Sequence, residues 1–181
     1  MVTSSDRKVT TFSKKGAANA PFFRVAELDD APEILEIYND AVHTRKSCGH
    51  TSEVTLITVI DWLESSRDKR PMWVAELSKE VVAWFAVEDF YGLPAFDRAV
   101  EVSVYVSKPH QRKGLATKAL TFVSAFLDCI SVSHIVACIY GHNTESINLF
   151  SKNGYQQWGR LPKIASIDSK QYDLLILGKR I

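Results

Sequence analysis

From Ala99 to Leu120 the chain reads AVEVSVYVSKPHQRKGLATKAL. An alternating strand stops at Val106, a short basic segment follows, and small and apolar residues then open a helix. This order demands a sheet with a helix on one face, the helix starting at the strand's end. Backbone N–H groups at such a start lack intrahelical partners, and the helix dipole places about half a positive charge there. Gly114 has no side chain to block close approach, Ala116 keeps the next turn slim, and Arg112 and Lys113 add formal charge. Such a segment suits a pyrophosphate, although an ordinary loop with solvated basic residues would read the same way in isolation. Neither GxxxxGK[ST] nor GxGxxG is present, which excludes a Walker loop and a dinucleotide fingerprint.

The rest of the chain supplies the other elements. FFRVAEL (residues 22–28) reads as a strand. Helical spacing of Ile34, Leu35, Tyr38, Ala41 and Val42 follows, with Asp29 or Asp30 as cap and Pro32 in the first turn. A second helix is expected over Ile57–Lys69, stopped by Pro71. Met72–Leu77 and Val81–Phe90 read as a hairpin, and SHIVACIY as a buried strand. NTESINLFSKNGY reads as a short helix with Asn143 or Thr144 as cap and Gly154 as stop. Strands over residues 155–164 and 171–179 finish the chain. This order fits one α+β domain over residues 22–181, a mixed and largely antiparallel sheet with helices. Residues 1–21 read as a polar N-terminal tail; their Ser, Thr and basic content also permits an organelle-targeting reading.

The net charge of +1 gives no whole-molecule field toward nucleic acid or an anionic membrane, and neither is expected as a partner. No apolar run approaches the ~20 residues that cross a bilayer. The three cysteines form no CxxC, which argues against a disulfide framework or zinc site, for no metal, and for a reducing, cytoplasmic setting. Cys129 and Cys138 lie in apolar runs and are expected to be core thiols. Cys48 and His50 share a polar loop, where a nucleophile pair is conceivable.

The segment around Val102–Leu120 resembles the acetyl-CoA-binding motif of the GNAT superfamily of N-acetyltransferases, and NTESINLFSKNGY resembles that family's second conserved motif. The match runs from Phe22 to the C-terminus. Within the superfamily, ILEIYNDAV, LPAFDRAVEVSVYV and GRLPKIASIDSKQYDLLIL are similar to the phosphinothricin and methionine-sulfoximine acetyltransferase group. The resemblance implies a three-layer α/β/α fold and acetyl-CoA as cosubstrate. It implies that Gln111, Arg112, Lys113, Gly114, Leu115, Ala116 and Thr117 hold the pyrophosphate. The backbones of Tyr105 and Val106 would pair with the pantetheine arm, Asn143 would hydrogen-bond to it, and Ser146 would lie near it. The group commonly forms homodimers.

Alternation puts Glu101, Ser103 and Tyr105 on one face of the strand and the valines on the other. A polar face is either a wet sheet surface or a cleft. The resemblance favours the cleft, with Glu101 as general base for direct transfer to a small primary amine. A protonated amine cannot attack a thioester, and a carboxylate can take its proton directly or through one water. Val104 N–H or a close neighbour would steady the tetrahedral oxyanion.

Several positions depart from the group. Phe150 stands where these enzymes carry tyrosine or histidine, and it cannot protonate a leaving thiolate. Leu93 stands where an arginine often holds a substrate carboxylate and, with Phe96, is expected to contact the substrate; Arg98 is nearby but displaced, and Ile167 is in place of a lysine. Trp84 and Phe85 are bulky where the group has small residues, so both are candidate substrate contacts, with core packing for one of the pair as the structural reading because strand neighbours face opposite ways. Glu88 and Asp89 would suit a cationic amine, or simply be solvated strand ends. Acceptors therefore range from amino-acid analogues such as phosphinothricin or methionine sulfoximine to more apolar amines. A protein or peptide N-terminal acetyltransferase and a non-catalytic coenzyme-A-binding module are the other classes open to this sequence.

Overall fold

A computed structural model describes residues 20–46, 49–66 and 68–181. The strands are β1 (Phe22–Val25), β2 (Met72–Leu77), β3 (Glu80–Asp89), β4 (Ala99–Val106), β5 (His134–Tyr140), β6 (Gln156–Ile167) and β7 (Lys170–Arg180). The helices are α1 (Ala31–His43), α2 (Leu56–Ser65), α3 (Leu115–Cys129) and α4 (Thr144–Lys152). One seven-stranded sheet has the order β1-β2-β3-β4-β5-β7-β6. Every adjacent pair is antiparallel except β4 with β5.

Period-two alternation divides the side chains between two cores. On one face Phe85, Val100, Val102, Ile135 and Ala137 pack against Ala119, Leu120, Val123 and Leu127 of α3. On the other, Met72, Val74, Trp84 and Ala86 pack against Ile34, Tyr38 and Val42 of α1 and Val59 and Leu63 of α2. The sheet therefore lies between two helical layers, the α/β/α arrangement expected. The β2–β3 and β6–β7 hairpins turn on Ser78–Lys79 and Asp168–Ser169, each pair at positive φ, which matches the right-handed twist of the strands.

Three local expectations change. A 3₁₀ turn (Leu28–Asp30) replaces the end of the first strand, and Asp30 makes no side-chain cap on α1. Its carboxylate instead accepts two 2.7 Å hydrogen bonds from Arg24 and one from Glu27 N–H. Burial alone would raise the Asp30 carboxyl, but the guanidinium and the N–H together hold it below the usual carboxylate range. Helix α2 ends at Ser65, short of the expected Lys69. Cys129 and Cys138 are both exposed, not core thiols. Of the expected tail, residues 1–19 lie outside the described residues, as does Cys48 of the Cys48–His50 pair.

Candidate active site

The parallel ladder between β4 and β5 runs only from Ala99↔His134 to Glu101↔Val136. Beyond it, Val102–Tyr105 of β4 and Ala137–Tyr140 of β5 line opposite parts of one cleft of about 600 Å³. That size is ordinary for a small-molecule site. The antiparallel register of β3 and β4 then sets what faces the cleft. Trp84 lies opposite Tyr105, Ala86 opposite Ser103, and Glu88 opposite Glu101. One strip of sheet thus carries an aromatic pair, a small pair and a carboxylate pair in succession.

Helices α1 and α2 complete the aromatic end. Trp84 stacks on Tyr105 with ring centroids 4.4 Å apart, and Tyr38 meets Trp62 at 4.9 Å and Tyr105 at 5.2 Å. His50 Nδ1 is 2.5 Å from Tyr38 Oη. At the carboxylate end, burial and then the Glu101 charge raise the Glu88 carboxyl above its usual range. Cys138 faces the same side of the sheet as Glu101. Its side chain opens into the cleft, and partial desolvation by the surrounding walls, followed by the charge and hydrogen bonding of Glu101, pushes its thiol up to about 12. A thiol so shifted is a hydrogen-bond donor at neutral pH, not a nucleophile.

The basic segment behaves as its sequence suggests. Gly114 sits at φ 79° as the N-cap of α3, and no side chain caps the helix. A Cβ there would meet nothing within 4 Å, so the glycine serves the left-handed turn and leaves open space above it. Arg112 is also left-handed, at φ 58°. The Gln111 side chain donates to Val106 C=O at 3.0 Å, tying the loop to the end of β4. Open first-turn N–H groups beside Arg112 and Lys113 fit a pyrophosphate chemically.

Asn143 is the N-cap of α4. Its side-chain oxygen accepts from Ser146 N–H at 3.0 Å, and its amide nitrogen donates to Lys46 C=O at 2.8 Å. Asn143, Ser146 and the buried Phe150 all line the cleft. Behind Phe150, the Tyr155 ring meets it edge-on at 4.8 Å. Burial raises the Tyr155 hydroxyl above its usual value.

The expected pocket residues separate. Trp84 faces the cleft, but Phe85 is 0% exposed on the opposite face, stacked on Trp73 at 5.4 Å. Phe85 is therefore core, and its assignment to the substrate is corrected. Leu93 precedes and Phe96 ends a 3₁₀ turn (Pro94–Phe96); they are 56% and 41% exposed, outside the described lining of the cleft. Phe96 stacks on Tyr91 at 4.9 Å instead. Arg98 donates to Ser131 C=O, Asp89 pairs with Arg70, and Ile167 is buried at the end of β6. The sequence reading missed Tyr38, Trp62, Lys46 and Cys138 as cleft residues. For Cys138 a signal existed: in HIVACIY it alternates with Ile135, Ala137 and Ile139, which are all core.

A mixed sheet that opens beside one parallel strand pair, with an uncapped helix start at the strand's end, fits a domain that holds an anionic small molecule along its cleft. Residues 23–176 match the family described as acetyltransferase (GNAT) domain. The chain belongs to that family and is an acetyltransferase. It is 35% identical over 159 residues to YwnH of Bacillus subtilis, provisionally named a phosphinothricin acetyltransferase, covering 87% of this chain and 98% of that one. It is 29% identical over 156 residues to an L-methionine sulfoximine/L-methionine sulfone acetyltransferase of Pseudomonas aeruginosa, covering 85% and 91% of the two chains. The structure of YncA from Salmonella typhimurium with its cofactor acetyl-CoA superposes with a TM-score of 0.83 at 28% identity, covering 90% and 94%.

Proposed function

We propose that residues 22–181 act as one domain that transfers acetyl from acetyl-CoA directly to a small primary amine, with Glu101 as general base. The observation that carries this reading is the position of Glu101, inside the cleft at the last rung of the parallel ladder. The ammonium form of the acceptor gives one proton to the Glu101 carboxylate. The freed nitrogen lone pair forms the C–N bond at the thioester carbonyl, and Val104 N–H steadies the oxyanion. The C–S bond then breaks. The departing thiolate takes up the second proton from nitrogen, by way of solvent because Phe150 has none to give, and Glu101 returns its proton to water.

On the donor side, Gln111, Arg112, Lys113, Gly114, Leu115, Ala116 and Thr117 hold the pyrophosphate, with Leu115–Thr117 contributing first-turn N–H groups. The pantetheine arm follows the backbone of Tyr105 and Val106 past Ser146, as an added strand would. Asn143 keeps one amide hydrogen for it beyond the bond to Lys46. A homodimer in the cytoplasm completes the proposal; the group resemblance supports the dimer, and the cysteine usage supports the compartment. The names of the relatives put phosphinothricin, methionine sulfoximine and methionine sulfone among the first acceptors to assay.

The deciding experiment is Glu101→Gln. It should keep acetyl-CoA affinity and lose about 10²–10⁴-fold in turnover. Near-normal turnover would remove Glu101 as the base.

A further inference from the structure

The cleft has two chemically distinct ends. Glu88 and Glu101 face each other across β3 and β4, and both open into it. The rings of Tyr38, Trp62, Trp84 and Tyr105 form the other end. Four residues of strand, about 13 Å of backbone, separate the Trp84 row from the Glu88 row. Between them lies only the small pair Ala86 and Ser103.

No arginine lines the cleft among the described residues. Its lysine, Lys46, already holds Glu145 at 2.8 Å. His50 is engaged with Tyr38 at the aromatic end. Arg70, outside the described cleft lining, is paired with Asp89. An acceptor carrying a carboxylate on the same carbon as its amine would bring that carboxylate beside Glu88 and Glu101. No opposite charge among the described cleft residues stands ready to offset it.

We propose that the acceptor is an arylalkylamine: a primary amine with an aromatic body and no carboxylate. Its ammonium sits between Glu88 and Glu101, and its ring lies toward the Tyr38–Trp62–Trp84–Tyr105 wall. This rests on the acetyl-transfer reading above and narrows its acceptor. A polyamine fits less well. Both carboxylates are at one end and none stands among the rings, so the cleft offers one site for charge and one for apolar surface. Trp84 and Tyr38 are nearly buried, Trp84 stacks on Tyr105, and the rings present a flat wall instead of a cage around a point charge.

Matched pairs isolate the carboxylate: tryptamine against tryptophan, and phenethylamine against phenylalanine. Coenzyme A release by the full chain would be measured for these, for spermidine, and for methionine sulfone and phosphinothricin, with acetyl-CoA binding followed by calorimetry. The amine of each pair should exceed its amino acid in kcat/KM by about tenfold or more. Glu88→Gln should pull that ratio toward one, whereas a merely structural Glu88 would lower both members alike. Equal or better turnover of the amino acids, or a preference for spermidine, would overturn the proposal. Turnover confined to methionine sulfone or phosphinothricin would overturn it and leave the acetyltransferase reading of the site standing. Acetyl-CoA binding without transfer to any amine would overturn both.

Discussion

Trp84 and Phe85 are adjacent, similar in size and nearly equally buried, at 3% and 0% exposure. Their roles differ only because a strand sends neighbours to opposite faces. Phe85 is enclosed by Trp73 at 5.4 Å, Phe23 at 5.3 Å and Phe122 at 5.9 Å, all away from the cleft. Truncating it to alanine removes a buried ring and leaves a cavity, a loss of about 3–5 kcal/mol. At about 2–4 °C per kcal/mol for a chain of this length, the melting temperature should fall by roughly 6–20 °C. Phe85→Leu is the milder form, at about 1–2 kcal/mol, and keeps the experiment readable if the alanine variant fails to fold. Trp84→Leu also costs stability, but it removes a ring from the cleft, worth about two- to tenfold in acceptor KM. The assay pairs denaturant unfolding with acceptor KM measured well below the melting range. The expected result is a stability loss for both leucine variants and a KM change for Trp84→Leu alone. An equal KM shift in Phe85→Leu would refute the division of the two faces.

Three further outcomes follow from single sites. Gly114→Ala should cost about 1–2 kcal/mol, from left-handed strain alone since no atom stands in the way, and should weaken acetyl-CoA binding measured by calorimetry; unchanged stability and affinity would sever the link between that turn and the cosubstrate. Asp30→Asn leaves Arg24 with Glu76 at 3.2 Å as its remaining carboxylate partner and should cost about 1–3 kcal/mol at pH 7. Because the folded Asp30 carboxyl is depressed, that advantage is complete above the ordinary aspartate value near ~3.9 and is lost as pH falls through the lower folded value, so unfolding curves of the two proteins should converge in acid. Cys138, with its thiol near 12, should be alkylated by iodoacetamide at pH 8 about a thousandfold more slowly than an ordinary thiol, and faster in Glu101→Gln because one raising cause is the Glu101 charge; labelling at the rate of the exposed Cys129, read by mass spectrometry, would contradict the shift.

The elements that sequence reading located well are those whose signal is local. Strand β4 was bounded by its own alternation, and the start of α3 by a glycine whose φ of 79° is the conformation glycine alone adopts freely. The errors share a different origin, which is pairing between distant segments. SHIVACIY looked buried on both faces because cysteine and tyrosine count as apolar. Its fate depended on β4, since the ladder ends at Glu101↔Val136 and everything after Val136 on that face meets the cleft. Leu93 and Phe96 are assigned to the acceptor by resemblance to a motif, yet the turn that carries them lies outside the described lining of the cleft.

The choice between Trp84 and Phe85 shows the same limit most sharply. Alternation states that one must face each way, but only the register Trp84↔Tyr105 and Phe85↔Val104 decides which. Once that register is known, Glu88↔Glu101 follows four residues along, without further information. The chemistry of the acceptor end is therefore a consequence of one hairpin register. A slip of a single residue in β3 would send Trp84 and Glu88 to the α3 side and leave Glu101 facing Val87 or Asp89. The large side chains that fix this register, Phe85 in one core and Trp84 in the other, thereby also fix which charges the substrate meets.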